Sequence, residues 1–143
     1  MHNSYEHIIE AMNRQGLRLT EQRKSIARIF ASTGHYCSAK EIYLKLMSAH
    51  PDISYDTVYR NLKMLLALGI LDQIYLQDGA RFKACLNRAG EVERQVICLH
   101  CGQIIPFEEG NVPLVSGMPN GFETISIRYY GYCRSCSNNT RKE

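Results

Sequence analysis

Two C-x-x-C pairs constrain this chain more than any other feature: Cys98-Leu-His-Cys101 and Cys133-Arg-Ser-Cys136, with 31 residues between them. Tetrahedral zinc takes four soft or borderline ligands, and each C-x-x-C turn can present two thiolates to one ion. The interval is long enough for a strand, a connection and a returning strand. A shell of four cysteines leaves no position for a substrate water, so the expected site is structural, with one zinc per chain, rather than catalytic. The competing readings are two unrelated thiol pairs or a redox C-x-x-C. Two matched pairs are more specific than one, and a domain of about 55 residues needs such a staple to fold. His100, inside the first pair, reads as a solvated turn residue ahead of a ligand.

Compartment follows from the same cysteines. Met1 to Glu10 shows no basic stretch followed by an apolar run, which predicts a cytoplasmic protein. A reducing cytoplasm argues against disulfides. No apolar run approaches the roughly 20 residues that span a bilayer, so no membrane partner is expected. The remaining cysteines, Cys37 and Cys85, are isolated in sequence.

Before residue 70 the hydrophobic period is helical. A first helix is expected from about Ser4 to Gln15, carrying Ile8 and Met12, with Gly16 as its stop. A second follows the N-cap Thr20, buries Ile26, Ile29 and Phe30, and ends at Gly34. The third opens on the capping box Ser38-Ala-Lys-Glu41, and the fourth begins near Ser54 with Val58, Leu62 and Leu65 on one face. Ile70 to Tyr75 and Arg81 to Cys85 then flank Gln77-Asp-Gly-Ala80 as a hairpin. Helices three and four followed by a hairpin make a winged helix-turn-helix. Asn87 to Glu91 reads as a linker. Beyond it, strands are expected at Arg94 to Cys98, Gln103 to Phe107 and Phe122 to Tyr130, giving an α/β (α+β) chain. The segment from Gly110 to Gly121 is a poor helix by composition, and residues 138–143 read as a frayed tail.

The fourth helix begins where a recognition helix should. Ser54, Tyr55 and Thr57 stand in or before its first turn, and Arg60, Asn61 and Lys63 follow. Hydroxyls and amides can contact phosphate or base edges, a Tyr ring can rest on a thymine methyl, and Arg can pair with guanine. The alternative is a polar solvated face on an ordinary helix, and composition alone does not separate the two. Residues 1–83 hold 11 Lys/Arg against 8 Asp/Glu, and residues 84–143 hold 6 against 6. The basic excess therefore sits in the half expected to meet phosphate.

Taken together, GLRLTEQR from Gly16, SAKEIY from Ser38, DTVYRNL from Asp56, ICLHCG from Ile97 and YGYCRSC from Tyr130 resemble, in order, the ferric uptake regulator (Fur) family. The resemblance runs from about residue 5 to residue 136. It implies a dimeric transcription repressor: a winged-helix DNA-binding domain over residues 1–86, a linker at 87–91, and a small α/β dimerisation domain over 92–137. The implied partners are a second copy of the chain and double-stranded operators with inverted-repeat symmetry. By position, Tyr55 and Arg60 are similar to the family's base-contacting pair. Arg14 and Arg18 match basic residues that approach the DNA backbone or minor groove, and the four cysteines match the family's structural zinc site.

The family's second, His-rich metal site is largely missing, since only His100 lies beyond residue 50. What remains resembles the zinc-sensing branch. Asp72 and Cys85 fall at matching positions, and Glu93 and Gln95 stand where that branch has two His. Asp72, Cys85 and Glu93 are therefore candidates for a second, regulatory metal, weaker or differently selective than an Asp/Cys/His/His site. A small buried thiol at Cys85 and a surface carboxylate at Asp72 are the alternatives. The segment 110–121 departs from the family, which usually has a dimerisation-domain helix there. Four functions compete: a repressor switched by metal; a DNA-binding regulator without the metal switch, constitutive or acting through oxidation of Cys37, Cys85 or the four paired thiolates; a thiol oxidoreductase; and an interaction module that has lost DNA. The closed cysteine shell disfavours the enzyme, and the intact Tyr55, Arg60 and Lys63 face disfavours the last.

Overall fold

A computed structural model describes residues 4–85, 93–105, 117–124 and 126–140. The chain divides into two compact units, Met1–Leu86 and Asn87–Glu143. The expected linker, 87–91, lies outside the described residues, as do 110–116 of the Gly/Pro-rich segment. Residues 117–121 of that segment form no helix.

In the first unit, α1 (Ser4–Arg14), α2 (Glu21–Ser32), α3 (Ala39–Met47) and α4 (Tyr55–Ala67) precede a hairpin of β1 (Leu71–Leu76) and β2 (Gly79–Ala84). The starts of α2, α3 and α4 each have a local cause. Thr20, Ser38 and Ser54 accept from the N–H groups of Arg23, Glu41 and Thr57, and the Ser38–Glu41 capping box is complete. The stops after α1 and α4 are Schellman motifs. Ile70 N–H donates to Leu65 C=O and Gly69 N–H to Leu66 C=O, with the same pattern at Leu17–Met12 and Gly16–Asn13. Gly16 and Gly69 take φ of 74° and 75°, which a side chain would strain. Helix α2 ends at Ser32, before the expected Gly34, because Thr33 turns extended and its hydroxyl donates to the Ile29 carbonyl.

Ile8, Met12, Ile26, Phe30, Ile42, Leu46, Val58, Leu62, Leu65 and Phe82 close one core among these elements. The hairpin is tighter than expected. Pairing continues to Leu76↔Gly79, leaving only Gln77 and Asp78 as the turn, and Arg81 anchors it through Asp78 at 2.8 Å. The wing is clipped to the helices by a bridge between Cys37 and Phe82.

In the second unit, β3 (Glu93–Cys98) lies between β4 (Ile104–Ile105) and β5 (Ser126–Gly131), and α5 (Arg134–Thr140) follows. Strand β4 runs antiparallel to β3, whereas β5 is parallel to it. The expected strand over Phe122 to Tyr130 begins only at Ser126. Phe122 instead closes a turn on the Pro119 carbonyl and is exposed. Residues 138–140, expected to fray, continue α5.

Candidate nucleic-acid interface and metal centre

Helix α4 presents its polar side chains from a frame fixed at both ends. Its buried face is Val58, Leu62 and Leu65. On the other side Tyr55 is 46% exposed, and the Arg60 side chain is 75% exposed and pairs with the exposed Asp56 at 4.0 Å. A surface pair of this kind is worth little and leaves the guanidinium available. Tyr55 is oriented by an edge-on contact with Tyr43 of α3 at 5.6 Å and a stack on Tyr59 at 6.4 Å. Lys63 sits over the Tyr59 ring at 5.4 Å.

The other expected contact residues divide into two groups. Arg14 ends α1 and Arg18 lies between α1 and α2, both exposed. Ser54, Thr57 and Asn61 are engaged within the protein. Ser54 caps the helix and meets the Thr57 hydroxyl at 2.8 Å. Asn61 donates to the Thr57 carbonyl at 2.9 Å and accepts from Arg23 Nε at 3.3 Å. Sequence reasoning missed Arg23. It spans α2 and α4, donating also to the Arg18 carbonyl at 2.8 Å, and lines an open cleft with Thr57, Arg60, Asn61 and Met64. Its signal was faint, since a half-buried Arg on an amphipathic helix looks like any solvated one.

The two cysteine pairs converge for a topological reason. Because β5 is parallel to β3, both strands finish at the same end of the sheet, with Cys98 opposite Gly131. The turn after β3 and the start of α5 therefore face each other. All four sulfurs lie within 4.8 Å of one another, and Cys101 Sγ is 3.9 Å from Cys133 Sγ. A tetrahedron with zinc–sulfur bonds of about 2.3 Å has edges of about 3.8 Å, so the donor set fits one zinc. His100 is exposed and stands outside the group.

The backbone treats the four sulfurs unequally. Burial works against a charge on Cys98, but N–H groups of Cys101, Cys133 and His100 point at its sulfur and hold the thiol down at about 6; the Cys133 N–H lies 3.3 Å away. Cys136 is pushed up to about 12, first by the Cys133 sulfur and then by burial and the other thiols. The Gln103 N–H favours charge on Cys101, but desolvation and the Cys98 and Cys133 thiols outweigh it and raise that group. Four crowded thiols can carry little negative charge without a cation among them.

Asp72, on β1, pairs with Lys83, two residues before Cys85, so strand alternation puts Asp72 and Cys85 on one face of the hairpin. Tyr36 Oη donates to Asp72 Oδ2 at 2.7 Å. Glu93 opens β3 in the other unit, and its side chain lies outside the described residues. Among the described residues, neither Asp72 nor Cys85 joins a group of three metal-ligating side chains.

A winged helix followed by a small α/β unit with a four-cysteine cluster defines the class of protein. The chain belongs to the ferric uptake regulator family, whose model matches residues 14–128. It is 33% identical over 138 residues to the ferric uptake regulation protein of Staphylococcus epidermidis, covering 92% of this chain and 95% of that one. It is 27% identical to the peroxide-responsive repressor PerR of Staphylococcus aureus strain Mu50, over 92% and 90% of the two chains. The fold is that of the Helicobacter pylori ferric uptake regulator, with a TM-score of 0.65, 21% identity and coverage of 96% and 97%. A zinc-bound manganese uptake regulator superposes with a TM-score of 0.60 at 26% identity, over 88% of this chain and 98% of that one.

Proposed function

We propose that this chain is a sequence-specific, metal-responsive DNA-binding repressor that acts as a homodimer on operators of inverted-repeat symmetry. The observation that carries this reading is the solvent face of α4. Tyr55 and Arg60 are exposed on a helix whose cap, core face and C-terminal stop are all satisfied; the Tyr43 and Tyr59 rings orient Tyr55, and the 4.0 Å surface pair with Asp56 leaves Arg60 available to a base. Arg14, Arg18 and Lys63 supply positive charge for phosphate. Ser54, Thr57 and Asn61 act mainly by holding the helix end in shape, and Arg23 holds Asn61. The match to repressors and metal-uptake regulators of known name supports the same assignment.

Cys98, Cys101, Cys133 and Cys136 would hold one structural zinc, which when bound cross-links the β3 turn to α5. The second unit would carry the dimer contact. Asp72, Cys85 and Glu93 would supply the regulatory ligands, and the shared hairpin face of Asp72 and Cys85 supports that pairing. Bound metal would favour the DNA-competent state of the chain, shifting a population rather than creating a new state.

The test is binding of the chain to a duplex selected from random sequence, with and without added zinc. Arg60→Ala should weaken binding by about 1–3 kcal/mol, the worth of a bidentate base contact, with folding and zinc content unchanged. Unaltered affinity would remove α4 from the interface. Affinity that rises with zinc, and ceases to do so in Asp72→Ala and Cys85→Ala, supports the metal switch. Affinity indifferent to zinc but lost on thiol oxidation would replace it with a redox one.

A further inference from the structure

Three ligand-bearing residues that the reading above does not use meet at the start of α3. His35 Nε2 lies 3.6 Å from Cys37 Sγ and 3.6 Å from Glu41 Oε2, and the three donor atoms all fall within 4.8 Å of one another. The local chain explains the meeting. Cys37 is bridged on both backbone sides to Phe82, at 2.8 and 2.7 Å, which fixes its sulfur beside the turn. Glu41 is the third residue of α3, and its side chain folds back toward Ser38 to complete the capping box.

We propose that His35, Cys37 and Glu41 form a binding site for one divalent transition-metal ion of the zinc class, built wholly within the winged-helix unit and separate from the four-cysteine cluster. The distances suit it. Zinc bonds of about 2.0 Å to nitrogen or oxygen and 2.3 Å to sulfur put tetrahedral neighbours about 3.3–3.6 Å apart. The donors suit it as well: imidazole, thiolate and carboxylate together favour zinc and its first-row neighbours, while magnesium and calcium want oxygen alone. Three protein ligands leave a fourth position for water or another donor.

The surroundings accommodate the ion without breaking the fold. The two oxygens of Glu41 are already divided. Oε1 faces the Ser38 N–H and hydroxyl at 3.5 and 3.4 Å and Arg81 at 3.5 Å, while Oε2 faces His35. The capping box and the metal therefore use different atoms. His35 is exposed and Cys37 fully buried, so an ion would arrive from the solvent side and rest on the sulfur. Burial first, and then the charge of Glu41, hold the Cys37 thiol up, with Lys45 and Arg81 pulling the other way. A bound cation would take the place of that proton and release it. A His35–Glu41 ion pair is the simpler reading of the same atoms; in it the Cys37 thiol faces the His35 carbonyl at 3.7 Å and its ring nitrogen at 3.6 Å. An ion here would tie the segment before α3 to its first turn, beside the wing, at the base of the helix-turn-helix.

This site goes beyond the DNA-binding assignment and does not depend on it. The test uses the full chain with zinc retained in the four-cysteine cluster and Cys85→Ala in the background, so that Cys37 is the one thiol outside that cluster. Titration with cobalt(II) should add one equivalent per chain, with a cobalt–thiolate charge-transfer band. His35→Ala and Glu41→Gln should each weaken that equivalent at least about tenfold, as loss of one ligand in a three-ligand site should. Neither change touches the core, and Gln preserves the capping box. Cys37→Ser, its fold checked by circular dichroism, should lose the band. Absence of the added equivalent, or a band unmoved by His35→Ala and Glu41→Gln, would overturn the site.

Discussion

Arg23 shows how a single side chain can connect elements far apart in sequence. Its guanidinium reaches Arg18, Asn61 and Met64 at once, so it fixes both the approach to α2 and the middle of α4. Arg23→Ala should cost about 1.5–3 kcal/mol of stability, the usual worth of hydrogen bonds involving a charged group, measured by urea unfolding of the zinc-loaded chain. A loss near zero would mean that water replaces the clamp. The cysteines allow a pH prediction at the same scale. Cys98, held down at about 6, is already a thiolate at neutral pH, whereas Cys101 and Cys136 are held up and must surrender protons to a metal. Zinc uptake at neutral pH should therefore release fewer protons than there are thiols. Affinity should climb with pH across the neutral range and fall more steeply below about 6, where Cys98 too must lose its proton. Proton release in weak buffer checks the first expectation and chelator competition across pH the second. Release of a full four protons per zinc would show that Cys98 is not held down.

At the scale of elements, what was legible in the sequence was whatever depends on neighbours along the chain. Thr20 and Ser38 as caps, Gly16 as a stop, the start of α4 near Ser54 and its Val58, Leu62, Leu65 face all follow from positions within one or two turns. Where the expectation slipped, a non-local or side-chain contact decided: Thr33 cut α2 short, and the Arg81–Asp78 contact tightened the hairpin turn. The N-cap of α4 is open to direct test. Ser54→Ala should cost about 1 kcal/mol through the lost bond to the Thr57 N–H. Ser54→Asp should keep the cap and stability while weakening DNA binding, because the added charge would face phosphate. Equal effects of both changes on stability would deny Ser54 its capping role.

For the whole molecule, the two units rest on different supports. The first closes a core of many fully buried apolar side chains. The second, among its described residues, buries only the side chains of Ile97, Cys98, Cys136 and Gln95. A bound zinc would then contribute directly to folding of the second unit and hardly at all to the first. Chelation at mildly acid pH should remove the β3 to β5 share of the sheet signal and any dimer while the signal of α1 to α4 and the β1–β2 hairpin persists, with two separate melting steps by circular dichroism. A single step, equally shifted by zinc removal, would show the units to be one cooperative block. Along the chain alone, the residues already determined the helices, the hairpin, the polar face of α4 and the set of four thiols, because period, caps and the C-x-x-C spacing are local quantities. Only the tertiary structure decided that β5 lies parallel to β3 and so brings both cysteine pairs to one end of the sheet, and that Arg23 holds Asn61. Those depend on strand register and side-chain direction across the fold, which no local spacing encodes.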